Sequence, residues 1–232
     1  MKIGDKLSLE DHIQLNKEKS VSKWTSKVSI NDTQRYLSII RHYEDSLASR
    51  KSNMLGPILS LAVRNGREVD LFRLSLKNRF LASIIKLFEI KRLGFRTLLF
   101  SFLESYGRSN LNSIGDYSSL GVELTEKGQR KDIYIGSFDE MPSDWESKFG
   151  IVYFNSLDHS HDPYVTAKEI IRIAKPGAYI IIAFPMGQEP SIYDPVADVG
   201  VEDMKELFGG ELVYFREAGS KWFYTDYIVK IK

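Results

Sequence analysis

The chain has 232 residues, a formal net charge of +1 and a hydrophobic fraction of 43%, which suit a single α/β domain with additional segments. The near-neutral charge argues against a general affinity for nucleic acid, and the absence of cysteine excludes disulfide bonds, thiolate catalysis and cysteine-bound metals. No signal-peptide core and no apolar run of bilayer-spanning length is visible, so we expect a cytoplasmic protein.

Residues 1–54 are polar and charged, and we predict that they form a helical N-terminal extension to a domain spanning residues 55–232. Asp32 and Thr33 can cap a helix that continues to Asp45 or beyond, with apolar residues on one face. Such a helix would either cover a substrate site or only pack against a sheet, and the sequence leaves both interpretations open.

The apolar run Ile58–Val63 predicts a first strand, and the loop Arg64–Glu68 that follows contains Gly66. A strand, a glycine-containing loop and a helix N-terminus form the geometry that cradles a nucleotide, because glycine allows close backbone approach and helix amides face the ligand. A single glycine also fits an ordinary βα turn. Arg64 and Arg67 are either solvated loop residues or contacts for the carboxylate of a bound amino acid.

Residues 74–110 are rich in Leu, Ile and Phe and also basic. A βαβ unit needs about 30 residues, and the distance from Gly66 to the next strand near Leu120 exceeds this, so we predict a helical insertion at about 74–112. It would be a packed helical subdomain or dimer face, or a peripheral membrane element through 74–104. In a rival register, Arg96–Leu103 is the first strand, but this leaves too few residues before Leu120 for a full helix.

Ser118–Thr125 predicts a second strand that ends in an acid, Glu123. In nucleotide-binding α/β folds a carboxylate at this position bonds the ribose hydroxyls. The alternative is a surface glutamate at a strand end.

Arg130–Pro185 contains three short apolar runs, which predict strands buried on both faces: Asp132–Gly136, Gly150–Asn155 and Ala178–Phe184. Between the last two, Pro163–Ala174 has helical periodicity and is followed by Lys175-Pro176-Gly177, where we expect the helix to end in a tight turn. Strand, helix and strand in this order predict a parallel sheet with a right-handed crossover.

The loop Asn155–Asp162 follows the predicted fourth strand, at the edge of the sheet where ligands bind. His159 and Asp158 are candidate catalytic residues, because a histidine takes a proton from a hydroxyl or amine at neutral pH. A histidine that only holds the loop by hydrogen bonds is the alternative. The Asp-His-x-His run also has metal-ligand chemistry, but adjacent side chains in a tight loop rarely converge, and we expect no metal.

Residues 186–200 predict a loop that lines the substrate pocket near Tyr193 and Asp194. After a short helix at Val201–Phe208, the runs Glu211–Glu217 and Trp222–Ile231 predict a β-hairpin.

These segments together resemble the class I S-adenosylmethionine-dependent methyltransferases of the type 11-like group, over Leu55–Lys232 apart from the insertion. Several motifs carry the resemblance: GVEL around Glu123, Gly136–Pro142, Phe149–Val152, Asp158–Ser160 and Glu169–Gly177. The resemblance implies a doubly wound, Rossmann-like, mostly parallel sheet with a C-terminal antiparallel β-hairpin.

The resemblance also implies S-adenosylmethionine as the cofactor. Three positions depart from the family pattern: Ala62 stands where a first glycine is common, Ser60 where an acid often lies, and Ser137 where an acid accepts from the adenine amino group. Phe138 would lie against the adenine face. The expected cofactor contacts are Ala62, Arg64, Asn65, Gly66, Glu123, Leu124, Ser137, Phe138, Asn155 and Ser156.

The sequence therefore predicts methyl transfer to a small molecule, such as a glycan or lipid precursor, with no nucleic-acid partner. An inactive methyltransferase-like binding or scaffold protein is the main alternative, because the glycine loop is degraded. A nicotinamide oxidoreductase would need G-x-G-x-x-G after the first strand, and the chain lacks it.

Overall fold

The computed structural model of the chain describes residues 1–5, 7–23, 57–63, 66, 69, 119–126, 129–219 and 224–232. The predicted helix from Asp32, the loop residues Arg64 and Asn65, the insertion at 74–112 and the rival strand Arg96–Leu103 lie outside the described residues. Within the described ranges, no helix is both long and apolar enough to cross a bilayer.

A seven-stranded sheet organises the described residues, in the order β4-β3-β2-β5-β6-β9-β8. Its strands are β2 (Ile58–Leu61), β3 (Ser119–Glu123), β4 (Ile133–Ile135), β5 (Phe149–Phe154), β6 (Ala174–Pro185), β8 (Glu211–Arg216) and β9 (Tyr224–Lys230). The neighbours from β4 to β6 pair in parallel, and β9 is antiparallel to both β6 and β8. The predicted α/β fold, with its antiparallel C-terminal hairpin, is confirmed.

The burial of the two central strands, β2 and β5, explains why the runs that predicted them are almost entirely apolar. All residues of β2 and β5 are buried, because helices and loops cover both faces of a parallel sheet. The core continues into β6 and into the inward faces of two helices, α2 (Pro163–Ile173) and α3 (Val201–Phe208). α2 begins where the Asp162 carboxylate accepts from the backbone amides of Tyr164 and Val165.

The segment Lys175–Gly177 differs from the predicted turn. α2 ends at Ile173, and β6 already begins at Ala174. Phe149 pairs with Ala174 but Ile151 pairs with Tyr179, so the intervening residues bulge out of the ladder. Gly177 adopts a left-handed φ of 78° there. The glycine therefore serves a bulge inside the strand rather than a separate loop.

Glu169 and Arg172 of α2 fix the turn that follows β4. Arg172 donates to both Glu169 carboxylate oxygens and to the carbonyls of Met141 and Pro142, at 2.7–3.2 Å. Glu169 in turn accepts from the backbone amide of Met141 at 2.7 Å. The hydrogen bond from Arg172 holds the pKa of Glu169 below its usual value. The Glu169–Arg172 pair, at the start of the Glu169–Gly177 motif, therefore anchors this turn at the carboxyl edge of the sheet.

The N-terminal residues fold back onto the loop after β6. β1 (Lys2–Ile3) pairs antiparallel with β7 (Val196–Ala197), and the amide of Gly4 donates to the carbonyl of Pro195 at 2.8 Å. α1 (Leu9–Lys23) follows directly; it lies within the predicted helical extension but before the predicted helix from Asp32.

Candidate functional site

A cleft of about 660 Å³, partly open to solvent, lies at the carboxyl ends of the parallel strands β2 to β5. This is the edge where open α/β sheets bind their ligands. Each of these strands contributes residues to the cleft, and α1 covers it from the other side. Six of the predicted cofactor residues line it: Ala62, Glu123, Leu124, Ser137, Phe138 and Ser156.

Ala62, the first residue after β2, has a left-handed φ of 56°. This conformation favours glycine, because the Cβ of an L-residue approaches the following carbonyl oxygen. The position is the one where the family pattern commonly has its first glycine. The backbone thus makes the turn of a glycine loop although the residue is alanine.

Gly66 lies outside the cleft lining. Its φ is 77°, and a Cβ there would lie 2.7 Å from Nη1 of Arg130 and 2.9 Å from Cδ1 of Ile133. The left-handed backbone therefore favours glycine here, and a larger residue would also have to displace the ends of two side chains. The predicted contact of Gly66 with the cofactor stays a prediction. Asn155 is also absent from the lining, and its Oδ1 accepts from the hydroxyl of Ser156 at 3.2 Å.

Glu123, at the end of β3, is only 3% exposed, which excludes the alternative of a surface glutamate. Its Oε1 accepts from the backbone amide of Thr125 at 3.3 Å. A buried carboxylate at this strand end suits the two hydroxyls of a ribose.

Asp139 brings a carboxylate to the cleft on the side of Ser137 and Phe138. Thr166 donates its hydroxyl to Asp139 Oδ1, and the amide of Asp139 donates to Ser137 Oγ at 3.1 Å. Burial raises the pKa of Asp139, although the hydroxyls of Thr166 and Ser137, which donate to its carboxylate, and two nearby histidines oppose the rise. A carboxylate therefore lines the cleft two residues after the position where the family pattern has its acid.

Phe138 meets Phe154 of β5 edge to face, with ring centroids 5.0 Å apart. This contact fixes the ring at the cleft wall. A flat, apolar surface at this place is consistent with the predicted contact with a purine.

α1 reaches the cleft through polar residues. His12 Nε2 lies 2.8 Å from the carbonyl oxygen of His159, and Asn16 Nδ2 donates to the carbonyl of His12 at 3.2 Å. His161 Nε2 lies 2.9 Å from the carbonyl of Leu7. No helix was predicted at Leu9–Lys23 from the sequence because its buried residues, His12 and Asn16, are polar and leave no apolar stripe. Their spacing of four residues was the available signal.

Four charged or titratable side chains meet where the loop after β5 faces the loop after β6. His159 Nδ1 lies 2.5 Å from Asp194 Oδ1, and Lys19 Nζ of α1 lies 2.6 Å from the same oxygen. Asp158 Oδ2 is farther from His159 Nδ1, at 3.9 Å. The Nδ1–H direction is not aligned with Asp194 as in a good hydrogen bond, so the contact is a close electrostatic one.

The pKa values of Asp158 and Asp194 are shifted in opposite directions. Burial raises the pKa of Asp158, and the charge of Asp194 raises it further. Burial also acts to raise the pKa of Asp194, but the hydrogen bonds and charges of His159 and Lys19 outweigh it and hold this pKa well below the usual value. Asp194 is therefore a carboxylate at neutral pH. Asp158, the predicted catalytic partner, lies under the cleft rather than on its wall.

Asp158, His159 and Asp194 place their ligand atoms within 4.8 Å of one another. Two ligands of one small ion lie about 3 Å apart, since each sits about 2.1 Å from the metal. The 2.5 Å contact is shorter than this, and the ammonium of Lys19 already occupies the Asp194 oxygen. The absence of a metal stays a prediction for this protein.

No protein-family model and no curated protein sequence matches the chain. Solved structures do. The 1,6-didemethyltoxoflavin-N1-methyltransferase of Burkholderia thailandensis, solved with 1,6-didemethyltoxoflavin and S-adenosylhomocysteine, is 12% identical over 100% of this chain and 94% of its own, with a TM-score of 0.55. The N-methyltransferase NodS of Bradyrhizobium japonicum WM9, solved with S-adenosylhomocysteine, is 8% identical over 93% of this chain and 98% of its own, also with a TM-score of 0.55. The chain has the class I S-adenosylmethionine-dependent methyltransferase fold.

The resemblance noted in the sequence is thus confirmed at the level of the fold. The cleft lies at the carboxyl ends of the parallel strands of this fold. Glu123, at the end of β3, and Ala62, directly after β2, both line it.

Proposed function

We propose that this protein is an S-adenosylmethionine-dependent methyltransferase that acts on a small molecule, such as a glycan or lipid precursor. One observation carries the proposal: the buried carboxylate of Glu123 and the left-handed turn at Ala62 flank one cleft at the carboxyl edge of the sheet. This combination suits a nucleoside ligand. Residues 55–232 would form the catalytic unit, and the extension 1–54 would contribute α1 to the roof of the cleft.

The residues at the cleft fit S-adenosylmethionine. Glu123 would bond the ribose hydroxyls, Asp139 would accept from the adenine amino group, and Phe138 would pack against the purine. The backbone at Ala62 would pass close to the methionine part. When bound, this co-substrate supplies an electrophilic methyl group. The contribution of the protein is to hold that group in line with a nucleophile, which is an effect of proximity and orientation.

His159 is the candidate general base. It lines the cleft at the end of β5, so its imidazole is placed to take the proton of an acceptor hydroxyl or amine. The ring also contacts Asp194 on the loop after β6, so a ring that only braces the two loops stays the alternative.

The second candidate function is a methyltransferase-like binding protein without turnover. Ser137 and Ala62 motivate it, because both depart from the family pattern. We infer that the carboxylate of Asp139, which lines the cleft, and the left-handed backbone of Ala62 would replace what those residues lack, and this inference supports an active enzyme.

Calorimetric titration with S-adenosylhomocysteine, with NADH as the comparison ligand, tests the proposal. We expect S-adenosylhomocysteine to bind and NADH not to bind. Binding without release of S-adenosylhomocysteine from S-adenosylmethionine, across a panel of phenol, sugar and amine acceptors, would favour the binding protein. A chain that binds neither S-adenosylmethionine nor S-adenosylhomocysteine would contradict both functions.

A further inference from the structure

Asp194 lies far from His159 in sequence but contacts it more closely than the neighbouring Asp158 does. The distances from His159 Nδ1 are 2.5 Å to Asp194 Oδ1 and 3.9 Å to Asp158 Oδ2. A lone pair on Nδ1 this close to a carboxylate oxygen would be strongly repelled, so Asp194 favours a proton on Nδ1 even though the N–H is not aligned with Oδ1 as in a good hydrogen bond. The neutral ring then carries its proton on Nδ1, and Nε2 is the basic atom.

The backbone on both sides of Asp194 is fixed. Its amide donates to Ser191 Oγ at 3.0 Å, and its carbonyl accepts from the amide of Ser191 at 3.0 Å. The next residue, Pro195, accepts from the amide of Gly4, and Val196 pairs with Ile3. The loop after β6 thus presents the carboxylate at one place, which the free rotation of an exposed aspartate would not do.

Lys19 of α1 fixes the carboxylate itself. Its Nζ lies 2.6 Å from Asp194 Oδ1 and 5.3 Å from the centre of the Tyr193 ring. The side chains of Lys19 and Asp194 are both mostly buried, at 17% and 24% exposure, so the ion pair is shielded from water more than a surface pair. α1 therefore takes part in the site through a contact that orients the acid.

The second ring nitrogen, Nε2, is the one available to a ligand of the cleft. His159 lines the cleft, and within the described residues its Nε2 makes no hydrogen bond. The charged and titratable groups around the ring are Asp158 beside it, Asp194 on the loop after β6, and Lys19 and His12 on α1. Of the two aspartates, Asp194 lies nearer to the ring.

We propose that Asp194 is a positioning residue that holds His159 as the Nδ1-protonated tautomer, with Nε2 directed to the methyl acceptor, and that Lys19 holds Asp194 in place. The catalytic meaning of this arrangement rests on the proposed function. The acceptor is then one whose O–H or N–H proton has to leave. The bond between the methyl carbon and sulfur breaks as the bond to the acceptor atom forms, and the acceptor proton moves to Nε2. The products are S-adenosylhomocysteine, the methylated acceptor and an imidazolium facing Asp194.

Nuclear magnetic resonance of protein labelled with ¹⁵N-histidine tests this inference without knowledge of the acceptor. The tautomer is read from the two ring-nitrogen shifts of His159, assigned by their loss in His159→Gln, in the presence of S-adenosylhomocysteine. In the natural chain we expect the Nδ1–H tautomer. In Asp194→Asn we expect a shift toward Nε2–H, because the negative charge that favours a proton on Nδ1 is lost.

Two variants serve as matched comparisons. Asp198→Asn makes the same change on the same loop at an exposed residue that pairs with Lys2, and it should leave the tautomer unchanged. Asp158→Asn should also leave it unchanged, since Asp158 is not the partner. A natural chain with the Nε2–H tautomer, or an Asp194→Asn variant with the natural tautomer, would overturn the inference. Failure to bind S-adenosylhomocysteine would instead count against the proposed function, and it is measured on the same samples.

Discussion

Asp158 and Asp194 lie beside the same imidazole, that of His159, but their surroundings affect their charges in opposite directions. Asp158 is enclosed, its Oδ1 has no hydrogen-bond partner among the described residues, and burial raises its pKa. Asp194 is also partly buried, yet the contacts with His159 and Lys19 lower its pKa. The residue next to the histidine in sequence is therefore the poorer counter-charge, and the distant residue is the better one.

This difference predicts opposite effects of two conservative substitutions on thermal stability. At pH 7–8, Asp158→Asn should keep or raise the melting temperature, because it removes a carboxylate that is costly to bury. Asp194→Asn should lower the free energy of unfolding by about 1–3 kcal/mol, because it removes a charge-assisted contact and leaves Lys19 facing a neutral group. Thermal unfolding of both variants from pH 4 to pH 8 checks this.

The pH dependence has a definite sign for each residue. A lowered folded pKa gives Asp194 a stabilising contribution that is complete above the unfolded value of about 3.9 and is lost as the pH falls below it. A raised folded pKa makes the natural chain lose stability as the pH rises through the folded pKa of Asp158, so the benefit of Asp158→Asn should shrink toward pH 4. Asp144→Asn, at an exposed residue, is the control. Equal effects of the two substitutions at pH 8 would contradict the assignment.

Glu123 should bind the ribose of the cofactor. Replacing it with alanine removes a charge-assisted hydrogen bond worth roughly 1.5–3 kcal/mol, so the affinity for S-adenosylhomocysteine should fall by about 10- to 150-fold. Glu126→Ala, three residues later and exposed, is the matched control and should bind normally. Calorimetry on the three proteins decides, and unchanged affinity in Glu123→Ala would mean that the carboxylate serves only the fold.

Ala62→Gly should stabilise the protein. Left-handed backbone costs an L-residue about 1–2 kcal/mol, and glycine loses about 0.5–1 kcal/mol more chain entropy on folding. The net gain of about 0.5–1 kcal/mol corresponds to a melting temperature about 1–4 °C higher in a chain of this size. Binding of S-adenosylhomocysteine should be retained, because the turn is unchanged.

Ala218→Gly is the matched control for this substitution, since Ala218 is not among the left-handed residues. It should give no gain in stability. If Ala62→Gly lowers the melting temperature as much as the control does, the left-handed conformation at Ala62 is not the one that the protein adopts.

The sheet was predictable because buried parallel strands leave a strong local pattern. Runs such as Phe149–Phe154 are apolar throughout, and their bounds agree with the prediction to within one or two residues. The bulge at Lys175–Gly177 was not predictable, because proline and glycine signal a break in either a loop or a strand. Only the pairing of Phe149 with Ala174 and of Ile151 with Tyr179 distinguishes the two.

Site residues could be predicted from the sequence only where they lie at, or soon after, the end of a predicted strand. Glu123 and His159 follow predicted strands, and both line the cleft. The contributions of Lys19 and Asp194 depend on how two segments separated by more than a hundred residues pack together, and no local pattern encodes that contact. The sequence pointed to Asp158 because it is adjacent to His159, whereas burial and distance in the fold favour Asp194.

His159 is expected to act as the general base once an acceptor is identified. His159→Gln should then lower kcat by roughly 10²–10⁴, the usual contribution of a positioned base, while the affinity for S-adenosylhomocysteine stays within about twofold, a change well under 1 kcal/mol. Asp194→Asn should also lower kcat, and the loss should be smaller because the imidazole remains. If the ring only braces the loop, the opposite result is expected: His159→Gln would lower the melting temperature and the cofactor affinity but would not lower kcat. Initial rates of S-adenosylhomocysteine release, measured at saturating S-adenosylmethionine beside calorimetry on the same preparations, separate these outcomes.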